Sequence, residues 1–416
     1  MLILNMLKRN SLLIALILVM ILFEIAIRLK TGGAVSLFSP QNFTNIIYQN
    51  SYVIILAVGM LFLIIGCGNI DLSVGSVVAL IGAVAGVLMV VMPENETAFF
   101  SNPTMNMYFA IAVCLLLGIL IGAWHGFWIA YIRIPSFIVT LAGMILFRGL
   151  ALIVLDGITI SPFSRVYLYL LTSFIPANRA NAFDTTMVVT GFIVVVYVFG
   201  ILFDRLNKIK KGYEVDPMYA FLFKHIIILA AVIASSVLLG KNKGIPVILI
   251  LILAIVIIYA FIANKTVIGR RIYALGGNEK AAKLSGVNTN RLLFLSYVNM
   301  GLLAAVAALV CVARFNSASP MAGTGYELDA IGACFIGGAS AYGGVGTVGG
   351  AVIGAVFMGV LNNGMSILGV DANWQKAVKG LVLLAAVVVD VMSKKRVQNY
   401  SSSNRGHSPL FFKISF

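Results

Sequence analysis

Twelve stretches of this chain are apolar for close to the thickness of a bilayer, which rules out most folds. They fall near 11–29, 45–66, 73–92, 107–132, 136–155, 186–203, 225–240, 245–263, 293–313, 328–343, 347–368 and 374–392. A helix needs about 20 apolar residues to cross a hydrocarbon core roughly 30 Å thick. Only a helix or a closed barrel satisfies its own backbone there. The expected fold is therefore all-α, a polytopic transmembrane helical bundle with one helix for each of the twelve runs. Composition agrees, since 10% of residues are charged against about 25% in soluble domains. The run 328–343 is short for a span and is expected to be re-entrant or broken, tolerated only where protein or water covers the freed backbone. Lys8 and Arg9 precede the first run as in a signal peptide, but no small-residue cleavage site follows. The run is read as an uncleaved first helix.

The net charge of +15 sits in loops between the runs, the pattern of positive-inside bias. No basic soluble domain is present, so nucleic acid is excluded as a partner. With the N-terminus inside and alternating spans, nineteen of the 29 Lys and Arg fall on the cytoplasmic side. Both termini and the loop 264–291 are then cytoplasmic. Loops 93–106 and 156–185 face outside, the second carrying Tyr167, Tyr169 and Phe174 as an amphipathic surface segment. Residues 1–392 form one membrane domain, and the tail 393–416, polar then abruptly apolar, is expected to be disordered.

The largest polar feature late in the chain is GRRIYALGGNEKAAKLSGVNTNR, residues 269–291. Asn278 is a suitable N-cap, Glu279 a favourable charge at a helix start, and Gly286 a cheap left-handed end. The helix between them is too short to stand alone in water. Ala281, Ala282, Leu284 and Ser285 offer a small face beside Lys280 and Lys283, with Gly276 and Gly277 just ahead. The pattern reads as a docking knob.

Other motifs are weaker. Gly344, Gly346 and Gly349 imitate a dinucleotide fingerprint, but apolar helical runs flank them and no βαβ unit does. Gly346, Gly350 and Gly354 fit better as a stripe for close helix packing, as do Gly118, Gly122 and Gly126. No G-x-x-x-x-G-K-[ST] occurs, so energy must come from a partner or a gradient. The four cysteines lie singly in apolar runs and read as small buried hydrophobes. His125 reads as a satisfied bundle residue, and the three histidines have no ligand spacing. Asp71 reads either as an N-cap for helix 73–92 or as a polar contact beside a translocation path, with Ser73 and Ser76 sharing the place. Asn362, Asn363 and Ser366, and likewise Asn299, read either as bundle glue or as path-lining groups for hydroxylated substrates. Glu327 and Asp329 mark the water boundary of the run 328–343 or receive a basic partner.

The stretch 269–291 resembles the coupling segment of sugar ABC importer permeases of the ribose, xylose and multiple-monosaccharide type. Three further stretches resemble the same family in order: NIDLSVGSVVAL (69–80), IPSFIVTLAGMILFRGL (134–150) and GYELDAIGACFIGGASAYGGVGTVGG (325–350). The basic insert within 204–244 is similar to the longer xylose and multiple-monosaccharide branch. The resemblance implies a bacterial inner-membrane permease without its own ATPase, needing no catalytic residue, metal or cofactor. It implies a homodimer with the path at its axis, an ATPase docking on 277–286, and a periplasmic or extracellular sugar-binding protein. The rival class is a gradient-driven sugar or amino-acid transporter. That class calls for carboxylates in mid-helix, and only Glu24 and Asp71 come near.

Overall fold

The computed structural model describes residues 11–94, 102–213, 215 and 217–405. Its helices are α1 (Ser11–Thr31), α2 (Pro40–Cys67), α3 (Val74–Gly86, prolonged by a π-helical turn Val87–Val91) and α4 (Pro103–Gly126, prolonged likewise through Phe127–Tyr131). Next come α5 (Ser136–Val154), α6 (Arg165–Thr172), α7 (Ala182–Lys210), α8 (Met218–Asn242) and α9 (Val247–Lys265). Then follow α10 (Val267–Gly277), α11 (Glu279–Leu284), α12 (Thr289–Phe315), α13 (Tyr326–Ile336), α14 (Val348–Ile367) and α15 (Ala372–Arg405). The only named strands among the described residues, β1 (Phe174–Ile175) and β2 (Ile245–Pro246), pair antiparallel.

Apolarity all round a helix says that it lies in lipid or core, and burial separates the two. α2 is the axle, with 94% of its most apolar window buried, against 11% for α7. α12, α14, α13, α10, α8 and α9 all pack on α2. Lipid-facing α7 and α8 pack chiefly on each other.

Ten described helices are long and apolar enough to span; twelve spans are expected from the runs. The difference lies at two places. The run 328–343 folds as α13, whose 11 residues cover about 16 Å, half a bilayer. An irregular segment 337–347 follows, as expected for a broken helix. The run 374–392 does form helix, within α15, but carries Lys376, Lys379 and Asp390. α15 also continues to Arg405, beyond the point where disorder is expected, and residues 406–416 lie outside the described residues. So do residues 95–101 of the first outer loop.

Contacts fix which ends share a face. Lys30 at the end of α1 bonds the carbonyl of Leu368 just past α14. The opposite end of α14 meets α10 and the end of α2, where Tyr273 donates to the carbonyl of Gly346 at 2.8 Å. Asp390 of α15 accepts from the amide of Ala341 on that same face, at 3.2 Å. The start of α1, the α10–α11 loop and the later half of α15 therefore lie on one side of the bundle.

Glycine sets the closest approaches. A Cβ at Gly118 or Gly122 would stand 2.5 Å from the Gly301 carbonyl or 2.4 Å from that of Tyr297, both on α12. One at Gly126 would stand 2.9 Å from the Phe294 carbonyl. This stripe is real helix packing. The second is shorter than the spacing implies. Gly350 and Gly354 press on Gly337 and Ala333 of α13, but Gly346 precedes α14 and packs in the irregular segment against Ile65 and Leu61.

Candidate functional site

The α10–α11 loop is assembled by short polar side chains. Thr266 caps α10 by accepting from the Gly269 amide at 3.2 Å. Asn278 ends α10 and opens α11, its Oδ1 accepting from the Ala281 amide at 3.0 Å. Gly286 takes φ +82°, and its neighbour Val287 donates to the Ala282 carbonyl at 3.1 Å, a left-handed close of the helix. Arg133, itself in the left-handed region at φ 66°, donates through Nη1 to Glu279 at 2.8 Å and through Nη2 to Asn290. The turn between α4 and α5 is thereby tied to α11.

The small face expected of α11 divides in two. Ala282 is 5% exposed and seats the helix on the bundle. Leu284 is 90% exposed, with Ala281, Lys283 and Ser285 also open to solvent. The solvent-facing side of α11 is therefore a bare leucine rimmed by lysine and serine, and Ala282 is not part of it.

Gly276 and Gly277 also differ. A Cβ at Gly276 would lie 1.7 Å from the Ile65 carbonyl and 2.4 Å from the Gly344 amide, whereas nothing stands within 4 Å at Gly277. The Gly344 amide itself donates to Ile65 at 2.8 Å. Here α10, the end of α2 and the segment 337–347 meet backbone to backbone. Burial pushes the Tyr273 phenol above its ordinary range, so it stays a donor to Gly346 at physiological pH.

The residues read above as glue or path-lining groups lie at three separate places. Asp71 is buried on a segment that folds back into the bundle, its amide donating to Met60 Sδ at 3.4 Å. It does not cap α3. Its carboxylate accepts from the Ser73 amide at 2.8 Å and the Ser73 hydroxyl at 2.6 Å, organising the turn ahead of the helix. Ser76 is buried with no hydrogen-bond partner among the described residues. Asn299 accepts from the hydroxyl of Tyr259 on α9. Asn363 donates to Gln49 at 3.2 Å, and the Ser366 hydroxyl turns back to the Asn362 carbonyl at 2.8 Å. His125 is enclosed by Trp124, Phe147 and Tyr297, its Nε2 without a partner among the described residues, so it is buried but not satisfied.

Asn362 leads to the group that the linear reading misplaces. Its amide donates to Asp329 Oδ2 at 3.4 Å, and Lys379 Nζ of α15 stands 2.9 Å from Asp329 Oδ1. The carboxylate side chain is 1% exposed and the lysine 17%. Asp329 is thus a carboxylate buried within the bundle in an ion pair, not a residue at the water boundary. Its neighbour Tyr326 stacks on Tyr52 with ring centroids 3.8 Å apart. The signal available in the sequence was a lone carboxylate in the run 328–343 and a lysine in the run 374–392.

Among the described residues no cluster of three or more His, Cys, Asp or Glu is placed to hold a metal. The arrangement is one of packing contacts and hydrogen bonds.

Comparison with known proteins fits this geometry. Residues 42–387 match the family described as branched-chain amino acid transport system / permease component. The chain is 40% identical to the xylose transport system permease protein XylH of Escherichia coli (strain K12), over 91% of this chain and 92% of that protein. It is 38% identical to XylH of Haemophilus influenzae, over 92% and 96%. It is 36% identical to the ribose import permease protein RbsC of Escherichia coli (strain K12), over 86% and 89%. No solved structure matches.

Proposed function

The chain belongs to the family of branched-chain amino acid transport system permease components, and we propose that it is the multi-pass permease of an ATP-binding-cassette importer, carrying monosaccharides across a bacterial inner membrane. The relatives named for xylose and ribose support the sugar class over amino acids. The subunit carries no P-loop of its own, so a cytoplasmic ATPase supplies the energy, and a sugar-binding protein delivers substrate on the far side. Two copies form the working unit, with the path between them. Both termini and the α10–α11 loop face the cytoplasm.

The observation that carries this reading is the build of α11. Leu284, 90% exposed on a six-residue helix capped at its start by Asn278, is an apolar side chain whose burial in a cleft on a partner would be favourable. The knob is connected by rigid contacts. Displacement of α11 passes through Arg133 to the α4–α5 turn, and through the Gly276 seat to segment 337–347 and the half-helix α13. Alternating access then amounts to tilting α13 and its neighbours about these glycine contacts, with no covalent chemistry.

Reconstitution tests the class. Proteoliposomes holding this chain, its ATPase and the binding protein should take up xylose or ribose only with ATP inside the compartment that faces α11. Uptake by the chain alone, driven by a proton or sodium gradient, would establish the rival transporter class instead.

A further inference from the structure

One cavity lies far from the coupling face and plays no part in that reading. It has a volume of about 400 Å³ and is walled by Arg165, Tyr169, Thr172, Phe174, Pro176 and Lys243, among others. α6 provides one side and the β1–β2 pair the other. The pair is fastened by the Val247 amide donating to the Ser173 carbonyl at 3.0 Å. Two cations face the cavity and no carboxylate lines it. Neither Arg165 nor Lys243 makes an ion pair among the described residues; Lys243 lies over the Phe174 ring at 5.4 Å.

The depth of the cavity decides what can reach it. The Tyr167 hydroxyl of α6 donates to the Leu309 carbonyl at 2.6 Å, and Leu309 is six residues short of the end of α12 at Phe315. The Tyr48 hydroxyl donates to the Thr172 carbonyl at 2.9 Å, and Tyr48 is eight residues inside α2 from Pro40. At 1.5 Å per residue, α6 sits about 9–12 Å below the helix ends. The 28 residues of α2 measure about 42 Å and overhang a hydrocarbon core of roughly 30 Å by about 6 Å at each end. α6 therefore lies within a few ångströms of the boundary between acyl chains and headgroups. Its open edge is apolar, with Val166, Tyr169 and Leu170 exposed, and tyrosine favours this layer. A soluble protein docking from water meets the helix ends above this level.

We propose that the cavity is a phospholipid site: Arg165 and Lys243 hold the headgroup phosphate of an anionic lipid in the leaflet remote from α11, while Tyr169 and the α6 edge face its acyl chains. The chemistry is charge-assisted hydrogen bonding to phosphate oxygens, in a place where outward-facing basic residues run against the positive-inside pattern of the rest of the chain. The site requires only that the bundle sits in a membrane, so it stands or falls apart from the transport reading.

The test uses the full chain in detergent, titrated with phosphatidylglycerol or phosphatidylcholine and read by native mass spectrometry. The wild type should retain phosphatidylglycerol in preference. Arg165→Gln with Lys243→Gln should lower that retention about thirtyfold, the scale of two basic contacts at a membrane surface. Lys241→Gln, on the same turn but outside the cavity, should leave it unchanged. A photoreactive phosphatidylglycerol added to the wild type, which needs no substitution, should label residues 165–177. Unchanged retention in the double variant would overturn the proposal, as would labelling spread evenly over the lipid-facing helices. Millimolar inorganic phosphate that fills the site in place of lipid would reassign it to a soluble anion. Loss of binding-protein affinity with lipid retention intact would reassign it to the partner.

Discussion

At the scale of single residues, the buried pair Asp329–Lys379 carries the largest electrostatic consequence. Removing one member of a buried pair leaves an uncompensated charge, which costs about 3–5 kcal/mol, while replacing both by apolar groups of similar size is often neutral. Lys379→Met should therefore lower the thermal stability of the purified chain sharply, and Asp329→Leu combined with Lys379→Met should recover most of it. Equal losses in the single and double variants would mean that the pair is not coupled. The adjacent glycines provide a second contrast. Gly276→Ala forces a methyl onto the Ile65 carbonyl, an overpacking worth about 1–3 kcal/mol or more, whereas Gly277→Ala meets open space and should be silent. Folded yield by size-exclusion chromatography separates them, and a silent Gly276→Ala would refute the backbone seat. The sequence marks both glycines alike, because only the Ile65 carbonyl of α2 and the Gly344 amide, both distant in the chain, distinguish them. For the same reason Ala282 and Leu284 look equivalent in sequence, although one faces the bundle and the other faces away.

At the scale of elements, the stripe Gly118, Gly122 and Gly126 lets α4 lie on α12 with backbones in contact. Gly122→Leu should abolish accumulation of folded protein, while Gly349→Leu on α14, with nothing within 4 Å, should not. Membrane levels of the two variants check this, and normal accumulation of Gly122→Leu would remove the packing account. Most helix positions were legible in the sequence because ten of the runs match the bilayer, and the caps Asn278 and Gly286 sit where their chemistry requires. The break after α13 was legible only as a short run. How deep Asp71 and Asp329 sit was not, since a segment that doubles back, as the one before α3 does, places a charge beside residues far away in the chain. Nor does the sequence show how far apart the groups of Asp71, Asn299 and Asn362 sit: Asp71 is buried ahead of α3, Asn299 meets Tyr259 of α9 and Asn362 meets Asp329 of α13.

At the scale of the whole molecule, the proposed function gives the bundle one face for coupling and one for delivery. They are joined by α2, by the broken segment 337–347 and by the half-helix α13. The start of α1 and the later half of α15 share the face that carries α11; with that face cytoplasmic, an impermeant thiol reagent outside intact cells should fail to label Ser285→Cys, and should label Thr104→Cys, exposed at the start of α4 on the opposite face. The reverse labelling would invert the orientation. The central claim is that α11 passes the work of an ATPase into the bundle through a bare leucine. Leu284→Asp tests it most directly, since the side chain is exposed and the permease should insert and fold as the wild type does. The account predicts that the ATPase no longer co-purifies, or co-purifies without sugar-stimulated hydrolysis, and that uptake in proteoliposomes falls with it. Wild-type co-purification, hydrolysis and uptake in that one variant would contradict the account.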